Sequence, residues 1–103
     1  MKTYNKLVRD KIPEIIEANN EKANIKILNN EEYIFELNKK IQEEVAEYLE
    51  SESIEELADI EEVLRAILDA KNVSYEEFEK IRTEKIKKRG AFKNKIFLKS
   101  TDK

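Results

Sequence analysis

Apolar residues recur every three or four positions along most of this chain, the period of a helix with one buried side. Between residues 31 and 50 the apolar arc is Ile34, Leu37, Ile41, Val45, Tyr48 and Leu49, and between 53 and 71 it is Leu57, Ile60, Val63, Leu64, Ile67 and Leu68. Local signals bound both segments. Asn29-Asn30-Glu31-Glu32 reads as a turn and cap, Ser51 to Ser53 as a break, and Ser53 as the N-cap of the following helix. Ser74 with Glu77 forms a capping-box pattern that opens a last helix ending at Gly90. An earlier helix is predicted from Leu7 to Asn20, with Asp10 as a candidate N-cap, Pro13 in the first turn, and Ile12, Ile15 and Ile16 inward. Two short stretches alternate with a period of two, residues 25–28 and 95–99, and they predict a minor two-stranded element. The expected fold is therefore all-α, four helices with that small addition, in a single domain over residues 1–103.

Composition narrows the class. Only one glycine and one proline occur in 103 residues, which leaves little room for tight turns and favours helices. With no cysteine and no histidine, disulfides, thiolate sites and the usual zinc ligands are excluded. The N-terminus carries no apolar signal core and no apolar run reaches ~20 residues, so the expected location is cytoplasmic, without a membrane.

Charge is unevenly spread. The formal net charge is -3, yet residues 31–69 hold fourteen acids against three bases and residues 83–103 hold eight bases against two acids. A polyanion such as nucleic acid would avoid the acidic middle, so a nucleic-acid partner is not expected. A small phosphorylated ligand held through a cation fits the distribution better.

Within the acidic middle, Glu43, Glu44 and Glu47 form Glu-Glu-x-x-Glu, and Glu56 and Asp59 form Glu-x-x-Asp on the next helix. Acids three apart share one side of a helix, so two antiparallel helices would bring four carboxylates around one point. Two carboxylates about 4 Å apart repel by roughly 4 kcal/mol at an effective dielectric near 20, and a divalent cation or protonation must offset this. Oxygen ligands alone favour Mg²⁺, Mn²⁺ or Ca²⁺. Ordinary acids on the solvated face of a charged helix would give a similar spacing. At about 100° per residue, Glu44 falls at the edge of the first apolar arc, Glu47 just beyond it and Glu43 well away, while Glu56 and Asp59 border the second. Glu56 also completes a Ser-x-x-Glu pattern with Ser53, and one carboxylate cannot both reach back to its helix start and bind a metal.

This acid pattern, inside KKIQEEVAEYLES and SIEELADIEEVLRAIL, together with the opening YNKLVRDKIPEII and the closing KRGAFKNKIFL, resembles the MazG-like and phosphoribosyl-ATP pyrophosphohydrolase-like nucleoside triphosphate pyrophosphohydrolases. The resemblance spans nearly the whole chain. It implies a helical bundle completed by homodimerisation and Mg²⁺-dependent hydrolysis, with Mn²⁺ as a substitute, of a nucleoside triphosphate to monophosphate and pyrophosphate. It further implies that Glu44, Glu47, Glu56 and Asp59 are metal ligands, with Glu43 a supporting acid or one that orients water. Glu43 and Glu47 are then the candidates for the catalytic base. Arg9, Lys11 and Arg89 are candidates to hold phosphate oxygens, although Arg89 closes a cluster of bases at a helix C-terminus, where the backbone dipole alone favours positive charge.

Two other classes fit parts of the chain. A non-catalytic helical module would use the acidic face for a basic protein and would bind no metal. A nucleic-acid binder would use the basic tail and show steep salt dependence.

Overall fold

The computed structural model describes all residues, 1–103, and contains four helices and no strand. They are α1 (Ile12–Ala18), α2 (Asn30–Ser51), α3 (Ile54–Ala70) and α4 (Tyr75–Arg89). The chain divides into two compact units, Met1–Asn72 and Val73–Lys103.

The caps explain why the helices of the first unit begin where they do. Asn29 accepts the Glu32 backbone N–H at 2.8 Å while the Glu32 carboxylate accepts the Asn29 N–H at 3.3 Å, a complete capping box. Ser53 Oγ accepts the Glu56 N–H at 3.2 Å and starts α3. Between them only Glu52 turns left-handed, with φ 53°, so α2 and α3 form a helical hairpin with a two-residue turn. Pro13 accounts for the late start of α1, at Ile12 rather than Leu7. In a helix begun at Leu7, its ring would collide with the Arg9 carbonyl and its missing N–H would leave that carbonyl unpaired. Lys11 is the N-cap residue, without a side-chain cap, so Asp10 does not fill that role.

The strands predicted over residues 25–28 and 95–99 do not form. Both segments are without regular structure, and Ile25, Ile27, Ile96 and Leu98 are exposed. Alternation over four or five residues is too short to hold a strand unless a partner's backbone satisfies its N–H and C=O groups.

The helices α2 and α3 pack against each other. Their seam contains Leu37, 2% exposed, and Val63, 9% exposed, with Tyr33, Tyr48, Ile60 and Ile67 half-buried. This seam is turned by roughly 70° on α2 from the centre of the apolar arc, taking about 100° per residue. One flank of the hairpin consequently carries Glu43, Glu47 and Asp59, and the opposite flank carries Ile34, Ile41 and Val45 with Leu57, Leu64 and Leu68. Val45, Leu49, Ile54 and Leu57 are exposed.

In the second unit α4 starts at Ser74, whose Oγ accepts the Glu77 N–H at 3.1 Å. The Ser74 hydroxyl itself donates to Glu77 Oε1 at 3.3 Å, so the carboxylate does not return to the backbone and only half of the predicted capping box is made. Gly90, at φ 83°, ends the helix, as its freedom from a Cβ allows.

Candidate metal centre

Glu44 lies at the middle of the α2–α3 seam rather than at its edge, and with 7% exposure it is the one buried charged residue. Two turns of α3 deliver Glu56 and Asp59 to the same place. One carboxylate oxygen from each of Glu44, Glu56 and Asp59 lies within 4.8 Å of the other two.

The α3 N-terminus frees Glu56 for this position. Its backbone N–H is capped by Ser53, but the Ser53 N–H, which a capping box would give to Glu56, goes instead to Ser51 Oγ at 3.3 Å. The Glu56 carboxylate is therefore free to turn into the cluster, and the two uses its sequence position allowed are separated.

The electrostatics of the cluster are unfavourable as it stands. Desolvation above all, then a hydrogen bond shared with Glu44 and the negative charges of Glu47, Glu44 and Asp59, together push the Glu56 carboxyl up to about 7. With both groups ionised, Glu44 Oε2 and Glu56 Oε2 are buried without a hydrogen-bond partner. Buried, unpartnered carboxylate oxygens that converge from two helices are a donor set for a hard divalent cation, and an all-oxygen set suits Mg²⁺ or Mn²⁺.

Three cations border the cluster. Lys40, one turn before Glu44 on α2, is half-buried and stands 3.5 Å from both Glu43 and Glu44. Lys6 reaches Glu43 at 3.9 Å, and Arg9 Nη2 donates to Asp59 Oδ1 at 2.6 Å. The N-terminal segment thus runs beside the acidic flank. Asp10, one residue on, helps to raise the Tyr33 hydroxyl, mainly a consequence of that group's burial.

The site residues expected from the sequence separate accordingly. Glu44, Glu56 and Asp59 meet. Glu47 is exposed and outside the group of three, near enough for its charge to act on Glu56. Glu43 is half-buried between two lysines. Arg9 joins the cluster through Asp59, whereas Lys11 is exposed at the α1 N-cap and enters no ion pair. Arg89 belongs to the second unit, in the last turn of α4, and borders a concave surface formed by residues 89–96 that holds none of the acids. Lys6 and Lys40 were not singled out from the sequence. For Lys40 the signal was present as i, i+3 and i, i+4 spacing to Glu43 and Glu44; for Lys6 there was none.

Comparison with protein-family models, curated proteins and solved structures returns no match.

Proposed function

We propose that the protein is a Mg²⁺-dependent nucleoside triphosphate pyrophosphohydrolase of the MazG-like kind, acting as a homodimer or larger homo-oligomer. The observation that carries this reading is the convergence of Glu44, Glu56 and Asp59 within 4.8 Å, with two of their oxygens buried and unpartnered. Lone acidic faces for protein partners leave their carboxylates in water, and such burial serves no purpose there. The motif order along the chain supports the same reading.

On this reading Glu44, Glu56 and Asp59 hold the metal. A bound Mg²⁺ would neutralise triphosphate charge and orient an attacking water. Water adds to the α-phosphorus, the bond to the bridging oxygen breaks, and pyrophosphate leaves. Glu47 is the better placed of the two candidate bases, because no ion pair holds it while Glu43 is engaged by Lys6 and Lys40. Arg9 supplies positive charge at the edge of the site. The exposed apolar flank of the hairpin supports self-association, since covering it with a second copy would complete a helical bundle.

The test is pyrophosphate release from a panel of canonical and modified nucleoside triphosphates, with Mg²⁺, with EDTA, and with Glu44→Gln or Asp59→Asn. Release that requires the metal and both carboxylates is expected. No release from any nucleotide, with no Mg²⁺-dependent thermal shift, would replace this reading with that of a helical interaction module.

A further inference from the structure

The two cations that touch the group of three acids are held in different ways. Lys40 sits half-buried on α2, one turn from Glu44 on the same helix, and is fixed by that helix. Arg9 comes from outside any helix, fifty residues away in sequence, and both Arg9 and Asp59 reach solvent. Its contact is a single one, Nη2 to Asp59 Oδ1, so the remaining guanidinium donors are not used on Asp59. Lys6 pairs with Glu43 three residues earlier and ties the same segment to the same flank.

We infer that Arg9 is a transferable cation: it neutralises Asp59 while that carboxylate holds no divalent ion, and passes to the phosphate chain of the nucleotide when an ion takes Asp59. The inference rests on the proposed reading of Glu44, Glu56 and Asp59 as metal ligands, to which the buried, unpartnered Glu44 Oε2 independently points. A divalent ion on Asp59 takes up the carboxylate's charge and repels the guanidinium beside it, so the two cations compete for Asp59. An exposed pair of this kind is weak and yields readily. Once released, Arg9 remains on the segment that runs beside the acidic flank, and its planar fork matches two phosphate oxygens as a lysine would not. The exchange keeps the cluster from standing uncompensated and delivers a phosphate ligand only when the metal is in place. Arg9 is in this sense a competitor of the metal and an ally of the nucleotide.

The two roles predict shifts of opposite sign in one variant. Calorimetric titration with Mn²⁺ of the wild type, Arg9→Gln and Asp59→Asn would be followed by titration of the Mn²⁺-loaded proteins with a non-hydrolysable nucleoside triphosphate analogue. Arg9→Gln is expected to bind Mn²⁺ roughly two- to five-fold more tightly, the worth of an exposed ion pair, and the analogue roughly 10- to 100-fold more weakly, the worth of a charge-assisted bond. Asp59→Asn is expected to weaken Mn²⁺ binding, which places the metal at Asp59 whatever Arg9 does. Unchanged or weaker Mn²⁺ binding in Arg9→Gln would overturn the exchange and leave the metal site standing, as would tighter Mn²⁺ binding with unchanged analogue affinity. No Mn²⁺ binding by the wild type would overturn both.

Discussion

Leu49→Ala is expected to split the proposed dimer while leaving the protomer folded. Val45, Leu49, Ile54 and Leu57 expose 40, 71, 78 and 42% of their surface on the hairpin. Fully burying one such side chain contributes about 1.5–3 kcal/mol, so covering these four gives roughly 3.5–7 kcal/mol per protomer, or roughly 7–14 kcal/mol for a pair. Association itself costs about 4–15 kcal/mol, which leaves a dimer dependent on each of these side chains. Leu49 accounts for roughly 1–2 kcal/mol of the gain per protomer and roughly 2–4 kcal/mol for two, which weakens the dimer about 30- to 700-fold. In an isolated protomer the same truncation falls within about 0.5 kcal/mol of neutral, because the side chain is already in water. Sedimentation across a micromolar concentration range, with helicity followed by circular dichroism, separates the two effects. A wild type that sediments as a monomer with and without Mg²⁺, or a Leu49→Ala protein that self-associates as the wild type does, would refute the reasoning.

Leu37→Ala acts on the protomer itself: at 2% exposure it opens a cavity in the α2–α3 seam, costing about 2–5 kcal/mol and lowering the thermal midpoint by roughly 10–20 °C or more. An unchanged midpoint would mean that the seam is elsewhere. For the metal-free protein, Glu56 sets a pH dependence, since its folded value of about 7 lies above the ordinary 4.5. The folded state binds this proton more tightly than the unfolded state, so the contribution of Glu56 to stability is full below pH 4.5, is lost as pH rises through 7, and is absent above. Urea titrations across this range should show that decline in the wild type and not in Glu56→Gln; parallel profiles would count against the cluster. Ser51→Ala frees the Ser53 N–H to draw the Glu56 carboxylate into a capping box, and with a cap worth about 0.5–2 kcal/mol it should weaken Mn²⁺ binding roughly 2- to 30-fold by calorimetry.

The acid cluster works against the stability of the hairpin. Glu44 and Glu56 occupy seam positions that apolar side chains could fill, with Asp59 on the flank beside them, and the repulsion of the three is only partly met by Lys40 and Arg9. A seam chosen for stability alone would not place Glu44 opposite Glu56. The cost is consistent with a site whose missing favourable term comes from a ligand.

Features that depend on near neighbours were readable along the chain. Asn29 with Glu32, Ser53, Ser74 and Gly90 bound α2, α3 and α4 because a cap satisfies backbone groups within three or four residues of itself. Pro13 belongs with these: its ring bars a helix from starting well upstream, and a start at Leu7 gave too little weight to that local rule. The spacing of Glu44, Glu56 and Asp59 was also legible, since a helix fixes which acids share a side. Which side of α2 faces α3 was settled by packing between the helices. An apolar arc records all the surfaces a helix covers, the seam and the outer flank together, so its centre lies between them. The packed hairpin turns toward Glu44, so that acid moves from the edge to the middle while Val45 and Leu49 move outward. The same turn leaves Glu47 outside the group of three. The partners of Lys6 and Arg9 belong to tertiary structure as well, because no local rule brings residues 6 and 9 to residues 43 and 59. Pairing of residues 25–28 with 95–99 was likewise a non-local matter, and alternation alone supplied no backbone partner.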